Sequence, residues 1–390
     1  MASKPTSNRS IAEELNEYGY KIPKTKGDFG LEIETEVPEL SSYPEGSIIQ
    51  IPQKGHHLWD FPGLPEFKGH EDGSLRNFGV EFVLRSPMSY EDADRVVAKF
   101  GEVFGGVPFL QDSPGTSVHV HINLAKHSWC TLGNFLTAYS LVENLLSVFA
   151  GPTRTSNLFA LPLRCAEDNH TTMVDIFTGI EAGKISGVQK LSDESHKYAA
   201  MNLAPLYRLG SVESRLMRGV TDADTIRLWL RILNELLEFS KLRGLTPRDI
   251  LEEYHSNGNF LELLFPGTHE SLPQDYSMIT SRSVFYAAWL ADCVQDWKSL
   301  SLPGKPASKK SRGDIGDYLT LAELSTTPMI PWTTIEQAIP TAPQGILSSA
   351  DLNTLTMEAN DTEEDLEDDF DDEHDEHDEH DEHDQPDQDF

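Results

Sequence analysis

Alternation of apolar and polar side chains in four short segments constrains the fold of this chain more than any other feature. The segments lie at 29–37, 79–85, 117–124 and 211–217. Successive residues of a β-strand point to opposite faces of a sheet, so each segment predicts a strand with one apolar and one polar face. If the strands share a sheet, the apolar face packs on helices and the polar side chains gather on the other face.

Helical periodicity and capping residues predict helices between and after these strands. The predicted helices lie at 91–103, 132–150, 171–183, 223–243, 247–264 and 280–300. Thr131 and Asp222 are suited to cap the second and fourth of them. Residues 38–70 are rich in Pro, Gly and His and are predicted to form a long loop. The mixed order of strands and helices predicts an α+β fold with an antiparallel sheet and helices packed on one side.

The predicted polar face is unusually rich in ionisable groups. It carries Glu32, Glu34, Glu36, Glu81, Arg85, His119, His121, Glu213 and Arg215. Like charges on neighbouring strands repel, and a cation among them would remove that cost. Carboxylates with an imidazole suit Mg²⁺ or Mn²⁺. For any single strand, a solvated polar face is the stronger interpretation, but four such strands in one chain favour a site.

Charge is distributed very unevenly along the chain. Residues 351–390 hold 13 Asp and 8 Glu and no Lys or Arg, which predicts a disordered, acidic, His-containing tail. The remaining residues carry 43 acids and 31 bases, a net charge of −12. This balance argues against a nucleic-acid partner, because phosphate contacts need a basic surface.

Composition also divides the chain and bears on its location. Residues 1–27 form a polar lead-in without a signal-peptide core, 28–300 a compact body, and 301–350 a linker and peripheral segment. The most apolar stretch, Leu132–Ala150, contains Asn134, Glu143 and Asn144, which predicts a buried helix rather than a membrane span. Three widely spaced cysteines indicate neither a disulfide framework nor a zinc site. We expect a cytoplasmic protein without a membrane partner; the sequence leaves its oligomeric state open.

Four sequence blocks resemble a known enzyme family. In chain order they are GLEIETE (30–36), EDGSLRNFGVEFVLRSP (71–87), PGTSVHVHINL (114–124) and KYAAMNLAPLYRLGSVESRLMRG (197–219). They resemble the catalytic blocks of the amidoligases, which belong to the carboxylate–amine ligases related to glutamine synthetase and glutamate–cysteine ligase. The resemblance implies a glutamine synthetase-like catalytic domain over 28–300, with a curved, mostly antiparallel sheet. The motifs cover 28–220, and 221–300 is a helical C-terminal part.

The resemblance also implies roles for individual residues. The implied metal ligands are Glu32, Glu34, Glu81, His119 and Glu213, with Asp72 as a further ligand. His121 would lie near phosphate or substrate, and Asn202 would help to bind the ligand. Arg215 and Arg218 would hold the γ-phosphate or a substrate carboxylate, because a guanidinium fork matches both.

The implied activity is an ATP- and Mg²⁺-dependent joining of a carboxylate to an amine. ATP would convert the carboxylate to an acyl phosphate, which the amine then attacks. The amine and carboxylate would be small molecules or peptides, and Glu45 or Glu66 could act as general base. The chain has no evident N-terminal β-grasp domain, which argues against glutamine as the product.

Two other functions remain open at this level. A cupin-like metalloenzyme would use His119 and His121, but the Glu expected shortly after the second His is missing. A non-catalytic interaction protein could keep a ligase fold. Outside the four blocks, His56, His57 and His70 are interpreted as histidines of a surface loop, with a lid over the active site as the alternative. Arg154, Arg164 and Arg208 are interpreted as members of surface or core-edge ion pairs, with a place in a substrate pocket as the alternative.

Overall fold

The computed structural model describes a large part of the first 300 residues. The described residues are 9–17, 19–38, 59–61, 63–70, 72, 75, 79–110, 113, 115–154, 157, 160–163, 172 and 197–300, the last nine by their backbone alone. They all belong to one compact unit, Met1–Met329. The predicted helix at 171–183, apart from Thr172, lies outside the described residues, as do the segment 301–350 and the acidic tail.

The centre of the molecule is a seven-stranded sheet in which every described strand pair is antiparallel. In chain order the strands are β1 (Phe29–Thr35), β2 (Trp59–Asp60), β3 (Phe67–His70), β4 (Val80–Leu84), β5 (Ser117–Asn123), β6 (Met201–Asn202) and β7 (Ser211–Arg218). Their spatial order is β2-β3-β4-β1-β5-β7-β6. The four predicted strands are therefore neighbours at the centre of one sheet.

Three short strands lie where the sequence predicted none. β2 and β3 lie within 38–70, so the prediction of an uninterrupted loop there was wrong, although 39–58 lies outside the described residues. β6 pairs with β7 at the other edge of the sheet. Strands of two to four residues are too short to display a recognisable alternation, which is why they escaped prediction.

Eight α-helices precede, connect and follow the strands in the described part of the chain. They are α1 (Ile11–Glu17), α2 (Tyr90–Phe104), α3 (Trp129–Ala150), α4 (Leu206–Leu209), α5 (Ala223–Ser240), α6 (Pro247–Ser256), α7 (Phe260–Leu264) and α8 (Ser281–Leu300). The predicted helix 247–264 is thus two helices, α6 and α7. Two 3₁₀ turns, His269–Ser271 and Tyr276–Met278, precede α8.

Side-chain caps define where several helices begin. Asp222 caps α5 as predicted, accepting a hydrogen bond from the Thr225 backbone N–H at 2.9 Å. The prediction of Thr131 as the cap of α3 was wrong, because the Ser128 hydroxyl accepts the Thr131 N–H and the helix begins earlier. α6 has a capping box in which Thr246 and Asp249 bond each other's backbone N–H.

The apolar face of the sheet forms the core together with the helices. The predicted apolar residues of the four strands are all buried there: Phe29, Leu31, Ile33, Val37, Val80, Phe82, Leu84, Val118, Val120, Ile122, Leu124, Val212 and Leu216. α2 packs against β1 and α5, while α3 packs against β7, α5, α6 and α8. The alternation therefore predicted correctly that these apolar side chains are buried.

α3 is buried around most of its circumference, and its polar side chains find specific partners. Asn134 Nδ2 donates to the Ser240 and Leu245 carbonyls, and Asn144 Nδ2 donates to the Met278 carbonyl at 2.8 Å. Glu143 Oε1 accepts the Leu163 N–H at 2.6 Å. The prediction of a buried helix is confirmed. In the described part of the chain, every helix is too short or too polar to span a bilayer.

The polar N-terminal lead-in contributes a helix to the same core. Ile11 and Leu15 of α1 are fully buried. The backbone N–H groups of Ile11 and Ala12 donate to the carbonyls of His127 and Ala125, each at 2.8 Å. α1 is thereby fixed to the turn between β5 and α3.

Candidate metal centre

The order of the strands brings the predicted acids and histidines together on the polar face. β1 lies between β4 and β5, and the register places Glu34 opposite Glu81 and Glu32 opposite His119. On the next pair, His121 of β5 lies opposite Glu213 of β7. Directly opposed residues share a face and have adjacent side chains. Apart from Asp72, which lies between β3 and β4, the predicted ligands are therefore carried by four central strands.

The first ligand triad comprises Glu32, His119 and Glu213. Their nearest ligand atoms all lie within 4.8 Å of one another. His119 Nδ1 is 3.1 Å from Glu32 Oε2 and 3.3 Å from Glu213 Oε1. The His119 ring is 2 % exposed, so these groups interact away from bulk water. Two carboxylates and one imidazole at this separation could hold a divalent cation.

The second ligand triad comprises Glu34, Asp72 and Glu81, again with ligand atoms within 4.8 Å of one another. Burial, followed by the charges on Glu32, Glu34 and Asp72, raises the pKa of Glu81 to about 9. At neutral pH the metal-free site therefore keeps a proton on Glu81, because the carboxylates are too crowded for all of them to ionise. A bound cation would remove this repulsion.

Ser117 connects the two triads, and two histidines contact Glu32 of the first. The Ser117 hydroxyl lies between Glu34 Oε2 at 2.5 Å and His119 Nε2 at 2.6 Å. Glu32 interacts with His119 and also, through Oε1, with His121 Nε2 at 3.2 Å. Burial acts to raise the pKa of Glu32, but these two histidines outweigh it and hold the pKa well below its usual range. Burial lowers the pKa of His121, yet the interaction with Glu32 raises it overall.

Glu213 is oriented by two further predicted residues. Asn202 Nδ2 donates to Glu213 Oε2 at 2.6 Å, and Arg215 Nη1 donates to Glu213 Oε1 at 2.7 Å. The side-chain oxygen Oδ1 of Asn202 in turn accepts the Ala204 N–H at 2.9 Å. The amide and the guanidinium thus fix the carboxylate that β7 contributes to the first triad.

A β-bulge determines which side chains of β7 reach the polar face. Val118 pairs with Met217 but Val120 pairs with Ser214, so Arg215 and Leu216 together lie opposite His119. The extra residue shifts the alternation of β7 by one position, so that residues after the bulge face the side opposite to the one that strict alternation predicts. Arg218 consequently pairs with Ser117 and belongs to the polar face.

Arg218 differs from the other predicted residues in its contacts. Its Nη1 donates to the carbonyls of Phe149 and Ala150, the last residues of α3, at 3.3 and 3.1 Å. Gly151, with φ of 108°, follows, and a Cβ there would lie 2.8 Å from Arg218 Cδ. In the described structure, Arg218 Nη1 thus donates hydrogen bonds to carbonyls at the C-terminal end of α3, which have no partner within the helix.

A cavity of about 320 Å³ opens beside Glu32 and His121. Its walls are mostly apolar and include Leu31, Leu84 and Leu209. Asn123, Ser211 and Arg85 add polar groups. A mostly apolar pocket with a few convergent polar groups is typical of small-ligand sites.

The sequence matches no family model and no curated protein. The chemistry of the site therefore rests on its own geometry and on the four sequence blocks.

Two residues on the polar face were not assigned to the site from sequence. His70 of β3 lies opposite Glu81, and the charge on Glu32 acts on its pKa, which burial lowers. Ser117 begins β5 and connects the triads. The sequence assigns His70 to a surface loop, because a strand of four residues is too short to show a recognisable alternation. The sequence signal for Ser117 is its position two residues before His119, because residues two apart in a strand lie on the same face.

In the part of the chain that the structure describes, neither candidate for the general base, Glu45 or Glu66, is seen to contact the triads. Glu45 lies outside the described residues. The Glu66 carboxylate is 3.1 Å from Lys99 Nζ of α2, the helix that packs on the apolar side. Of the three arginines outside the blocks, Arg164 lies outside the described residues, Arg208 is exposed on α4, and Arg154 is buried.

Proposed function

We propose that this protein is an ATP- and Mg²⁺-dependent carboxylate–amine ligase that forms an amide bond through an acyl phosphate. The observation that carries this proposal is the pair of ligand triads on one sheet face, linked by Glu32 and Glu34 of β1. Residues two apart in a strand are separated by roughly 7 Å. Two neighbouring cation sites of this kind suit an enzyme that transfers a phosphoryl group.

The donor sets fit Mg²⁺, with Mn²⁺ as a second possibility. Five of the six ligands are carboxylates, which are hard oxygen donors, and the sixth is the imidazole of His119. The raised pKa of Glu81 indicates a cluster that gains from a cation. When bound, the ions would neutralise charge that develops on the phosphoryl oxygens.

The reaction consists of two substitutions. A carboxylate oxygen of the first substrate attacks the γ-phosphorus of ATP, and ADP leaves. The nitrogen of the amine then attacks the acyl carbon, inorganic phosphate leaves, and the nitrogen gives up a proton to a base. Arg215 would bind the transferred phosphoryl group, while Asn202 holds Glu213 in place. His121, paired with Glu32, would approach the phosphates from the cavity side.

The cavity beside the first triad supports a nucleotide as the phosphoryl donor. Its apolar walls would cover the faces of a planar base, and Asn123 and Ser211 could contact the polar edges of that base. Glu32 and His121 stand where the phosphates would meet the first ion. In this arrangement the base, the phosphates and the two triads follow one another across the sheet.

The alternative metalloenzyme based on His119 and His121 is less well supported. Carboxylates outnumber imidazoles in both triads, whereas softer metals used for redox chemistry favour more nitrogen ligands. A non-catalytic role would leave the charge crowding around Glu81 without a function.

Calorimetry with a non-hydrolysable ATP analogue tests the proposal. Wild-type protein should bind the analogue only with Mg²⁺, and Glu34→Gln and His119→Ala should each weaken binding by about 100-fold or more, since each removes a ligand worth several kcal/mol. Glu252 is exposed on α6. Glu252→Gln also removes one negative charge, so it is the matched control and should bind the analogue like the wild type.

Circular dichroism of each variant separates loss of binding from loss of folding. A well-folded wild type that does not bind the analogue with Mg²⁺ would exclude the ATP-dependent step. Binding that persists in both ligand variants would show that the nucleotide lies elsewhere.

A further inference from the structure

Arg154 lies in the turn that follows α3 and is almost completely buried. Its side chain is 3 % exposed. Nη2 donates to the backbone carbonyl of Arg215 at 2.5 Å, at the bulge in β7. The charged groups that act on Arg154 are Glu34 of the second triad and Arg215. Arg154 is therefore adjacent to both ligand triads although it belongs to none of the four sequence blocks.

This buried guanidinium has no counterion among the described residues. None of their carboxylates lies within 4.0 Å of it, and its Nε has no hydrogen-bond partner there. Burial lowers the pKa of Arg154 to about 10; the charge on Glu34 opposes this shift and that on Arg215 adds to it, so the group remains charged at neutral pH. Burying an unpaired charge is costly, and natural proteins seldom keep one without a partner.

Arg215 has a counterion but, like Arg154, keeps a buried N–H donor without a partner in the described structure. Its Nη1 donates to Glu213, but its Nε is buried without a partner in the described structure. The Arg154 guanidinium is fixed to the backbone of Arg215 by its hydrogen bond to the Arg215 carbonyl, and the charge on Arg215 acts on the pKa of Arg154. Cations in the triads would add positive charge next to both arginines, so they cannot supply the missing counterion.

We propose that Arg154 is an anion-binding residue that, together with Arg215, binds a phosphate-type oxyanion beside the two ligand triads. A planar guanidinium offers several N–H donors in a fixed fork that matches such an anion. The assignment of this anion as the transferred phosphoryl group rests on the proposed function. Arg154 would then hold that group before transfer and the phosphate product afterwards.

Titration of the full chain with inorganic phosphate, with Mg²⁺ and without nucleotide, tests this assignment. Phosphate should bind the wild type and raise its unfolding temperature. Arg154→Gln should bind phosphate about 10- to 100-fold more weakly, as expected for a lost charge-assisted hydrogen bond. Arg154→Lys keeps the charge and should lose less. Arg95→Gln removes an arginine that is 72 % exposed on α2 and should bind like the wild type.

A stability measurement without phosphate distinguishes anion binding from a purely structural role. Arg154→Gln removes a buried charge and can keep a donor for the Arg215 carbonyl, so it should be at least as stable as the wild type. A structural arginine would instead give a less stable variant that binds phosphate normally once folded, which would overturn the proposal. Acetate bound as tightly as phosphate would also overturn it.

The test is independent of the proposed ligase activity. If the wild type binds Mg²⁺-nucleotide but Arg154→Gln keeps its phosphate affinity, the role of Arg154 is refuted and the ligase remains. If phosphate binding depends on Arg154 while Mg²⁺-dependent nucleotide binding is absent, the anion site stands and the ligase is refuted.

Discussion

The two faces of the central strands obey opposite physical rules. On one face, residues such as Ile33 and Phe82 are fully buried among other hydrocarbon side chains. On the other, Glu34 is 6 % exposed and Glu213 4 %, so charged groups are hidden almost as completely. The apolar face accounts for the stability of the fold, since burial of apolar surface is its main driving force.

The polar face, by contrast, opposes folding. Its carboxylates repel strongly enough to keep a proton on Glu81, and Arg154, buried beside it, has no counterion in the described structure. Groups with strongly perturbed pKa values that cluster in this way are typical of functional sites. We therefore expect substitutions on the two faces of the same strand to have opposite consequences.

Phe82→Ala should have the largest effect on stability. Phe82 is fully buried and packs against the rings of Phe61, Phe100 and Phe104. Its removal should lower the free energy of unfolding by about 3–5 kcal/mol, measured by urea denaturation. Its neighbour on the strand is the control. Glu81 must take up a proton on folding at pH 7, whereas the amide of Glu81→Gln need not, so this variant should be at least as stable as the wild type. Similar losses in both variants would contradict the division between the faces.

The pH dependence of stability should reveal Glu81 directly. Its pKa is about 9 in the folded protein against an ordinary 4.5, so the folded state binds a proton that the unfolded state releases between these values. Stability of the metal-free protein should therefore fall as pH rises from about 4.5 to 9, by up to about 1.4 kcal/mol per pH unit. Glu81→Gln should reduce this slope, and saturating Mg²⁺ should do the same in the wild type. An unchanged slope in Glu81→Gln would assign the titration to other groups.

Much of this division between the faces could be predicted from sequence, because alternation in a strand is a local property. The positions of Glu32, Glu34, His119 and Glu213 relative to their apolar neighbours follow from a period of two. Helical periodicity also predicted most of the helices. The capping role of Asp222 at the start of α5 was predicted from its position before that helix. These features depend on neighbouring residues alone.

Features that depend on distant pairings could not be predicted in the same way. The separation of the acids into two triads follows from the spatial order β4-β1-β5-β7, which no single segment encodes. The bulge opposite His119 brings Arg218 to the polar face, although strict alternation from Glu213 would direct it to the apolar face. Arg154 reaches the site only because α3 ends beside the β7 bulge.

The smallest expected effect concerns the edge of the polar face, where burial gives way to the cavity. The Ser211 hydroxyl lies 3.3 Å from His121 Nδ1 and helps to hold the ring against Glu32. Ser211→Ala removes one such contact, so Mg²⁺-dependent affinity for the ATP analogue should fall by about threefold to tenfold, as expected for about 0.5–1.5 kcal/mol. Ser117→Ala is the sharper comparison, because that hydroxyl contacts both triads and its loss should weaken binding further. If the two alanine variants behaved alike, the connection between the triads through Ser117 would have no role in ligand binding.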